Sequence, residues 1–158
     1  MFLTPLELAG LPDPDLWVIA EPLRYLSVAG ELIEVPKGFI TDLASIPHFV
    51  DWIPFLDRTG PSRRPGALHD WLYAGMRSKG KAWADSLLRE ALLAEGMSTG
   101  SAQTYYLAVH WFGGPSYASD GRRHPYAEHP GHLESNDFLT EADWLAWKNS
   151  IPGIVALK

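Results

Sequence analysis

The chain has 158 residues, of which 46% are hydrophobic and 20% are charged, so it has the composition of a folded globular protein. This length fits one domain with an appended tail. Cysteine is absent, which excludes disulfides, cysteine-ligated metal sites and thiol nucleophiles. Thirteen Lys and Arg against 19 Asp and Glu give a net charge of −6, which argues against a protein that binds nucleic acid by neutralising its phosphates.

The sequence also argues against membrane insertion and export. No apolar run approaches the ~20 residues that span a bilayer. The N-terminal segment contains Glu7, and neither Lys nor Arg precedes Arg24, whereas a signal peptide begins with basic residues. We therefore expect a soluble cytoplasmic protein without a signal peptide or a transmembrane segment.

The N-terminal part of the chain predicts a small antiparallel β-meander. Runs of β-favouring residues are separated by two turn sequences, Ala29–Glu31 and Pro36–Gly38. The predicted strands are Leu16–Ala20, Leu23–Val28, Leu32–Val35 and Phe39–Thr41.

After Ala44 the hydrophobic period becomes helical. The apolar segment Ser45–Pro54 contains two prolines and predicts a helix of one or two turns or a packed loop. Three longer helices follow, and the first two form an αα-hairpin. Their predicted bounds are Arg63–Met76, Ala82–Glu95, and Thr99 or Ser101 to Phe112.

The last part of the chain differs in character. Residues 115–135 are rich in Gly, Pro, His and charged residues without periodicity, which predicts an irregular surface segment, and Trp144–Lys148 predicts a short helix. The predicted fold class is α+β, with the meander packed on a helical bundle. We expect a single α+β domain over residues 1–114 and an irregular extension over residues 115–158 that contains the short helix.

His69 and Asp70 stand in the middle of the first long helix, on sides that carry apolar residues. Asp85 borders the apolar stripe of the next helix, although Asp is almost never buried without a partner. If the hairpin turns near Ser78, the ~1.5 Å rise per residue places His69 and Asp85 at heights that differ by roughly 3 Å. We therefore expect these two side chains to hydrogen bond, while Asp70 points about 100° away around the helix axis.

Two interpretations of this pair stay open, and a third places both side chains in solvent. As a structural feature, the pair is a polar lock between two helices. As a functional site, Asp85 fixes the tautomer of His69 and raises its basicity for catalysis, or the pair contributes to a metal site.

A second polar cluster lies where the last strand gives way to helix. There, Asp42 and Ser45 either present polar groups to a site or cap local turns. A nucleophilic triad of Ser45, His69 and Asp85 is conceivable, although no Gly-x-Ser-x-Gly pattern supports it.

The C-terminal extension carries two further candidates. A metal site would use its histidines, His124, His129 and His132, although a solvated tail is the simpler interpretation. Trp144 and Trp147 lie three residues apart on the short helix and predict docking onto a partner protein or a second copy of the chain.

Four sequence motifs resemble an uncharacterised family of phage and prophage proteins, the domain of unknown function 1353. They are Gly38–Pro47, Leu68–Tyr73, the pair Ala84-Asp85, and Val109-x-x-Phe112-Gly113. The resemblance covers roughly residues 14–114 and leaves the tail outside. It implies a phage or prophage origin, with genes typically among those for late structural or lysis functions.

The pattern His-Asp-x-x-Tyr, followed by an Asp on the next helix, is similar to the core of phospholipase A2-type enzymes. This resemblance implies that His69 is the general base that activates water. It implies that Asp70 is a calcium ligand, and that Tyr73 and Asp85 orient and support the histidine.

The chain also departs from the phospholipase pattern. It has no disulfides, and the glycine-rich calcium loop upstream of the His-Asp pair is missing. The Gly60–Ser62 turn or the segment around Asp42 would have to supply the remaining calcium ligands.

Two functions therefore compete. The first is a late phage protein, made in the host cytoplasm and incorporated as a virion, tail or assembly component that contacts other phage proteins. The alternative is a hydrolase that cleaves an ester or a cell-envelope bond with His69 as general base, Asp85 in support and Ca²⁺ near Asp70. Contact with a membrane surface is expected only for the hydrolase.

Overall fold

The N-terminal part of the computed structural model, which describes residues 1–11, 16–43, 60–120 and 142, contains five short strands. Buried and more exposed positions alternate along the third and fourth strands. The strands are β1 (Leu8–Gly10), β2 (Trp17–Ile19), β3 (Leu23–Leu26), β4 (Leu32–Val35) and β5 (Ile40–Thr41).

The strands pair antiparallel in two small sheets, with the orders β1-β2-β5 and β3-β4. β5 therefore pairs with β2, whereas a simple meander would place it beside β4. The turn before β5 explains the difference, because Gly38 has a φ of 87° and its N–H donates to the Ile19 carbonyl at 2.8 Å. This positive φ directs the chain back alongside β2.

Four α-helices follow the sheets in the described part of the chain. They are α1 (Arg63–Ala74), α2 (Lys81–Ala94), α3 (Thr99–Phe112) and α4 (Gly114–Asp120). The predicted hairpin is present, since a short 3₁₀ turn, Arg77–Lys79, joins α1 to α2. Ser98 caps α3, where its side chain accepts a hydrogen bond from the Ser101 N–H at 3.1 Å.

Helix α4 corrects the prediction of an irregular segment, which is wrong for residues 115–120. Local sequence gives little sign of this helix, and tertiary contacts hold it. Arg77 donates from Nη1 to the carbonyl oxygens of Tyr117 at 2.5 Å and Tyr73 at 3.0 Å. Its guanidinium also lies 4.0 Å from the centre of the Tyr117 ring.

The main core lies between the sheets and the α1–α2 hairpin and is lined by the inward faces of both. Glu90 of α2 links the hairpin to the β3–β4 turn, because its Oε1 accepts from Tyr25 Oη at 2.8 Å and from the Val28 N–H at 2.9 Å. The predicted α+β class is confirmed. None of the helices in the described ranges is long and apolar enough to cross a membrane.

Candidate functional site

The α1–α2 hairpin brings His69 and Asp85 together inside the protein. Nε2 of His69 lies 3.3 Å from Oδ1 of Asp85. Both residues are almost completely buried, with exposed fractions of 1% and 0%. The predicted contact between these two side chains is confirmed.

The Asp85 carboxylate is surrounded by further donors. Tyr73, one turn after His69 on α1, donates from its hydroxyl to Oδ1 at 2.5 Å. Lys81 donates from Nζ to Oδ2 at 2.7 Å, and Nδ1 of His110 lies 3.5 Å from the same oxygen. Side chains from α1, α2 and α3 therefore converge on one buried carboxylate.

These contacts decide the protonation state of the pair. Burial by itself raises the pKa of Asp85, but hydrogen bonds from His69, Lys81 and Tyr73 outweigh it and lower the pKa to about 2. Burial lowers the pKa of His69 below its ordinary 6.5, although Asp85 partly opposes this shift. At neutral pH the pair therefore consists of an ionised carboxylate and a neutral imidazole.

Lys81 also ties the site to the end of α3. Its ammonium donates to the carbonyl oxygens of Val109 at 2.7 Å and His110 at 3.2 Å. A cation at the C-terminus of a helix is favourable because the last carbonyls carry partial negative charge. The sequence reasoning missed Lys81, although its position four residues before Asp85 on one helix was the available signal.

The second ring nitrogen of His69 has a different environment. Nδ1 is buried and has no hydrogen-bond partner within the described residues. An ionised carboxylate accepts and cannot donate, so the Asp85 contact places the ring proton on Nε2. Nδ1 then carries a lone pair, and this nitrogen is the basic atom of the site.

Asp70 is engaged elsewhere, as its direction on α1 predicts. Thr41, at the end of β5, donates from its hydroxyl to Oδ2 of Asp70, and both residues are buried. The same hydroxyl accepts from the Leu43 N–H at 2.9 Å. This contact attaches the end of β5 to α1, and the sequence reasoning did not assign Thr41 to the site.

The other predicted site residues fall into two groups. Asp42 follows Thr41 directly and is half-buried. Ser45, the three tail histidines, Trp144 and Trp147 lie outside the described residues. Across residues 1–11, 16–43 and 60–120, there is no group of three or more His, Asp or Glu side chains that could hold a metal ion. Calcium at Asp70 therefore stays a prediction.

The fold and this cluster define a small α+β domain in which a helical hairpin encloses a His–Asp pair. The chain belongs to the family described as "Protein of unknown function (DUF1353)", which matches residues 17–109. The match includes both sheets apart from β1, the hairpin and most of α3, so the buried pair lies within it. No curated protein and no solved structure matches the chain.

Proposed function

We propose that this protein is a hydrolase in which His69 is the general base and Asp85 its supporting carboxylate. One observation carries the proposal: Nδ1 of His69 is a buried lone pair without a hydrogen-bond partner among the described residues. A polar lock needs only the Nε2 contact and gains nothing from an unsatisfied Nδ1. Leaving such a buried acceptor without a hydrogen-bond partner costs about 1–3 kcal/mol. Buried unsatisfied polar groups of this kind are common at functional sites.

The electrostatics of the pair suit this role. Because burial lowers the pKa of His69, the imidazole is neutral and able to accept a proton at neutral pH. Asp85 is held ionised by His69, Tyr73 and Lys81, so it fixes the orientation of the ring and stabilises the imidazolium that forms during the reaction.

The proposed step is hydrolysis of an ester or a related acyl bond. Nδ1 of His69 removes a proton from water while the water oxygen attacks the carbonyl carbon. The tetrahedral intermediate then expels the alcohol, which takes the proton back from the imidazolium. The resemblance to phospholipase A2 supports an ester in a lipid or cell envelope as the substrate class. If Ca²⁺ is bound, Asp70 would be one of its ligands, and the ion would supply positive charge for the oxyanion.

The test combines chemical labelling with an activity assay. Diethyl pyrocarbonate acylates accessible neutral imidazoles, and peptide mapping would compare His69 with the half-exposed His110 in the same folded sample. Hydrolysis of p-nitrophenyl butyrate and of phospholipid vesicles would be measured with calcium and with EDTA. We expect His69, which is 1% exposed, to be labelled much more slowly than His110, and hydrolysis to be lost in His69→Gln.

A matched pair of variants compares the same carboxylate-to-amide change inside and outside the site. Asp85→Asn should reduce hydrolysis at least about 100-fold, because the base loses its supporting charge. Glu34→Gln makes the same chemical change at an exposed ion pair with Arg24 and should retain activity. Equal rates in the wild type and His69→Gln, or neither labelling of His69 nor hydrolysis of either substrate, would refute the hydrolase.

A second candidate is a phage virion or assembly component, and a different surface favours it. At the end of α3, Leu107, Phe112 and Trp111 are 42%, 50% and 72% exposed. Apolar side chains of this size on one helix end are typical of an interface. Trp111→Gln should then reduce self-association in sedimentation velocity, whereas Val28→Ser, at an 88% exposed position on the β3–β4 turn, should not.

A further inference from the structure

A cavity of about 660 Å³ lies beside the start of α1, at the outer part of the β1–β2–β5 sheet. It is lined by Pro5, Leu6, Leu8, Trp17, Arg63 and Arg64. The volume falls within the range of sites for small ligands, about 300–1,000 Å³. The His69–Asp85 pair does not line this cavity.

Two arginine side chains bring positive charge to the cavity from a helix end at which cations are unfavourable. Arg63 and Arg64 are the first two residues of α1, where the helix dipole already places partial positive charge. Cations at this end destabilise a helix, and α1 has no acidic residue in its first turn to balance them.

The two arginines differ in whether an acidic side chain pairs with their positive charge. Arg64 donates from Nε to Glu95 at 2.7 Å. Arg63 makes no ion pair within the described residues, and its guanidinium lies 5.8 Å from the centre of the Trp17 ring. Arg63 therefore brings to the cavity a positive charge that no acidic side chain of the described residues pairs with, in a chain whose net charge is −6.

The remaining walls are apolar. Leu6 and Leu8 are half-buried and lie on the cavity, whereas Glu7 between them is exposed and does not line it. The Trp17 ring adds a flat surface that suits an acyl chain or another ring. No acidic side chain lines the cavity among the described residues.

We propose that this cavity binds an anionic amphiphile, a phosphate or carboxylate joined to an apolar body. The guanidinium of Arg63 holds the anion, as arginine commonly does for these groups. The body lies against Trp17, Leu6 and Leu8. The proposal does not depend on the hydrolase, because it uses none of the residues of that site.

Isothermal titration calorimetry with probes that share one alkyl chain tests this site. Octyl phosphate should bind the full chain at concentrations below those at which it forms micelles. Octyl glucoside should bind much more weakly, and inorganic phosphate should also bind more weakly than octyl phosphate. Arg63→Gln should weaken octyl phosphate at least about tenfold, and Arg63→Lys should recover part of the affinity. Arg24→Gln, a matched change outside the cavity, should bind within about twofold of the wild type.

Binding to lipid vesicles distinguishes a membrane lipid from a free amphiphile as the ligand. Co-sedimentation with phosphatidylglycerol vesicles that depends on Arg63 would identify a membrane lipid as the ligand, and binding of monomers alone would identify a free amphiphile. The proposal is wrong if octyl glucoside binds as tightly as octyl phosphate, if Arg63→Gln binds like the wild type, or if octyl phosphate does not bind at millimolar concentration.

Discussion

Replacing Asp85 by Asn tests how strongly the buried carboxylate stabilises the hairpin. The pKa of Asp85 falls from its ordinary 3.8 to about 2, and each pH unit of difference corresponds to about 1.36 kcal/mol. The ionised carboxylate thus contributes about 2 kcal/mol to the free energy of unfolding at neutral pH. Asn would also direct an N–H group toward Tyr73 or Lys81, so we expect a total loss of about 3 kcal/mol.

The sign of the pH dependence follows from the same shift. Because the folded-state pKa is lower than the unfolded one, the stabilisation is present above pH 3.8 and is lost as the pH falls toward 2. Urea unfolding followed by circular dichroism at several pH values would measure it, with Glu34→Gln as the control at an exposed pair. A loss below about 1 kcal/mol in Asp85→Asn, or a difference from the wild type that does not shrink below pH 3.8, would refute the reasoning.

Three further outcomes follow from the described contacts. Thr41→Val should lower the free energy of unfolding by about 2 kcal/mol, because the buried hydrogen bond from Thr41 to Asp70 is lost, and chemical denaturation would show it. Gly113→Ala should lower Tm, because the added Cβ would lie 2.9 Å from the Tyr73 hydroxyl and even closer to a backbone oxygen of α3; an unchanged Tm would contradict this packing. The pKa of His69 is lowered from 6.5, so wild-type stability should begin to decrease as the pH falls below 6.5, and His69→Gln should lack this contribution.

The meeting of His69 with Asp85 was predictable from sequence because it depends on local periodicity. A helical repeat fixes which residues share a face, and a short turn between two helices fixes their relative heights. Once the turn near Ser78 is recognised, these rules place the two side chains opposite each other. The same rules direct Asp70 to another side of the helix.

Contacts between distant segments were not predictable in this way. Thr41 reaches Asp70 only because β5 pairs with β2, and that pairing depends on the backbone conformation of Gly38. Helix α4 forms where local sequence indicates irregular structure, since Arg77 holds it from 40 residues away. Local propensity is a weak predictor when such tertiary contacts are available.

The amino-acid sequence by itself determined the α+β class, the helical hairpin and the pairing of one imidazole with one carboxylate. Only the tertiary structure decided that Lys81 and the end of α3 complete the carboxylate's surroundings, and that Nδ1 of His69 is left without a partner among the described residues. The physical reason is that helical periodicity depends on residues close together in the sequence. Burial and hydrogen-bond satisfaction depend instead on which distant segments pack against each other.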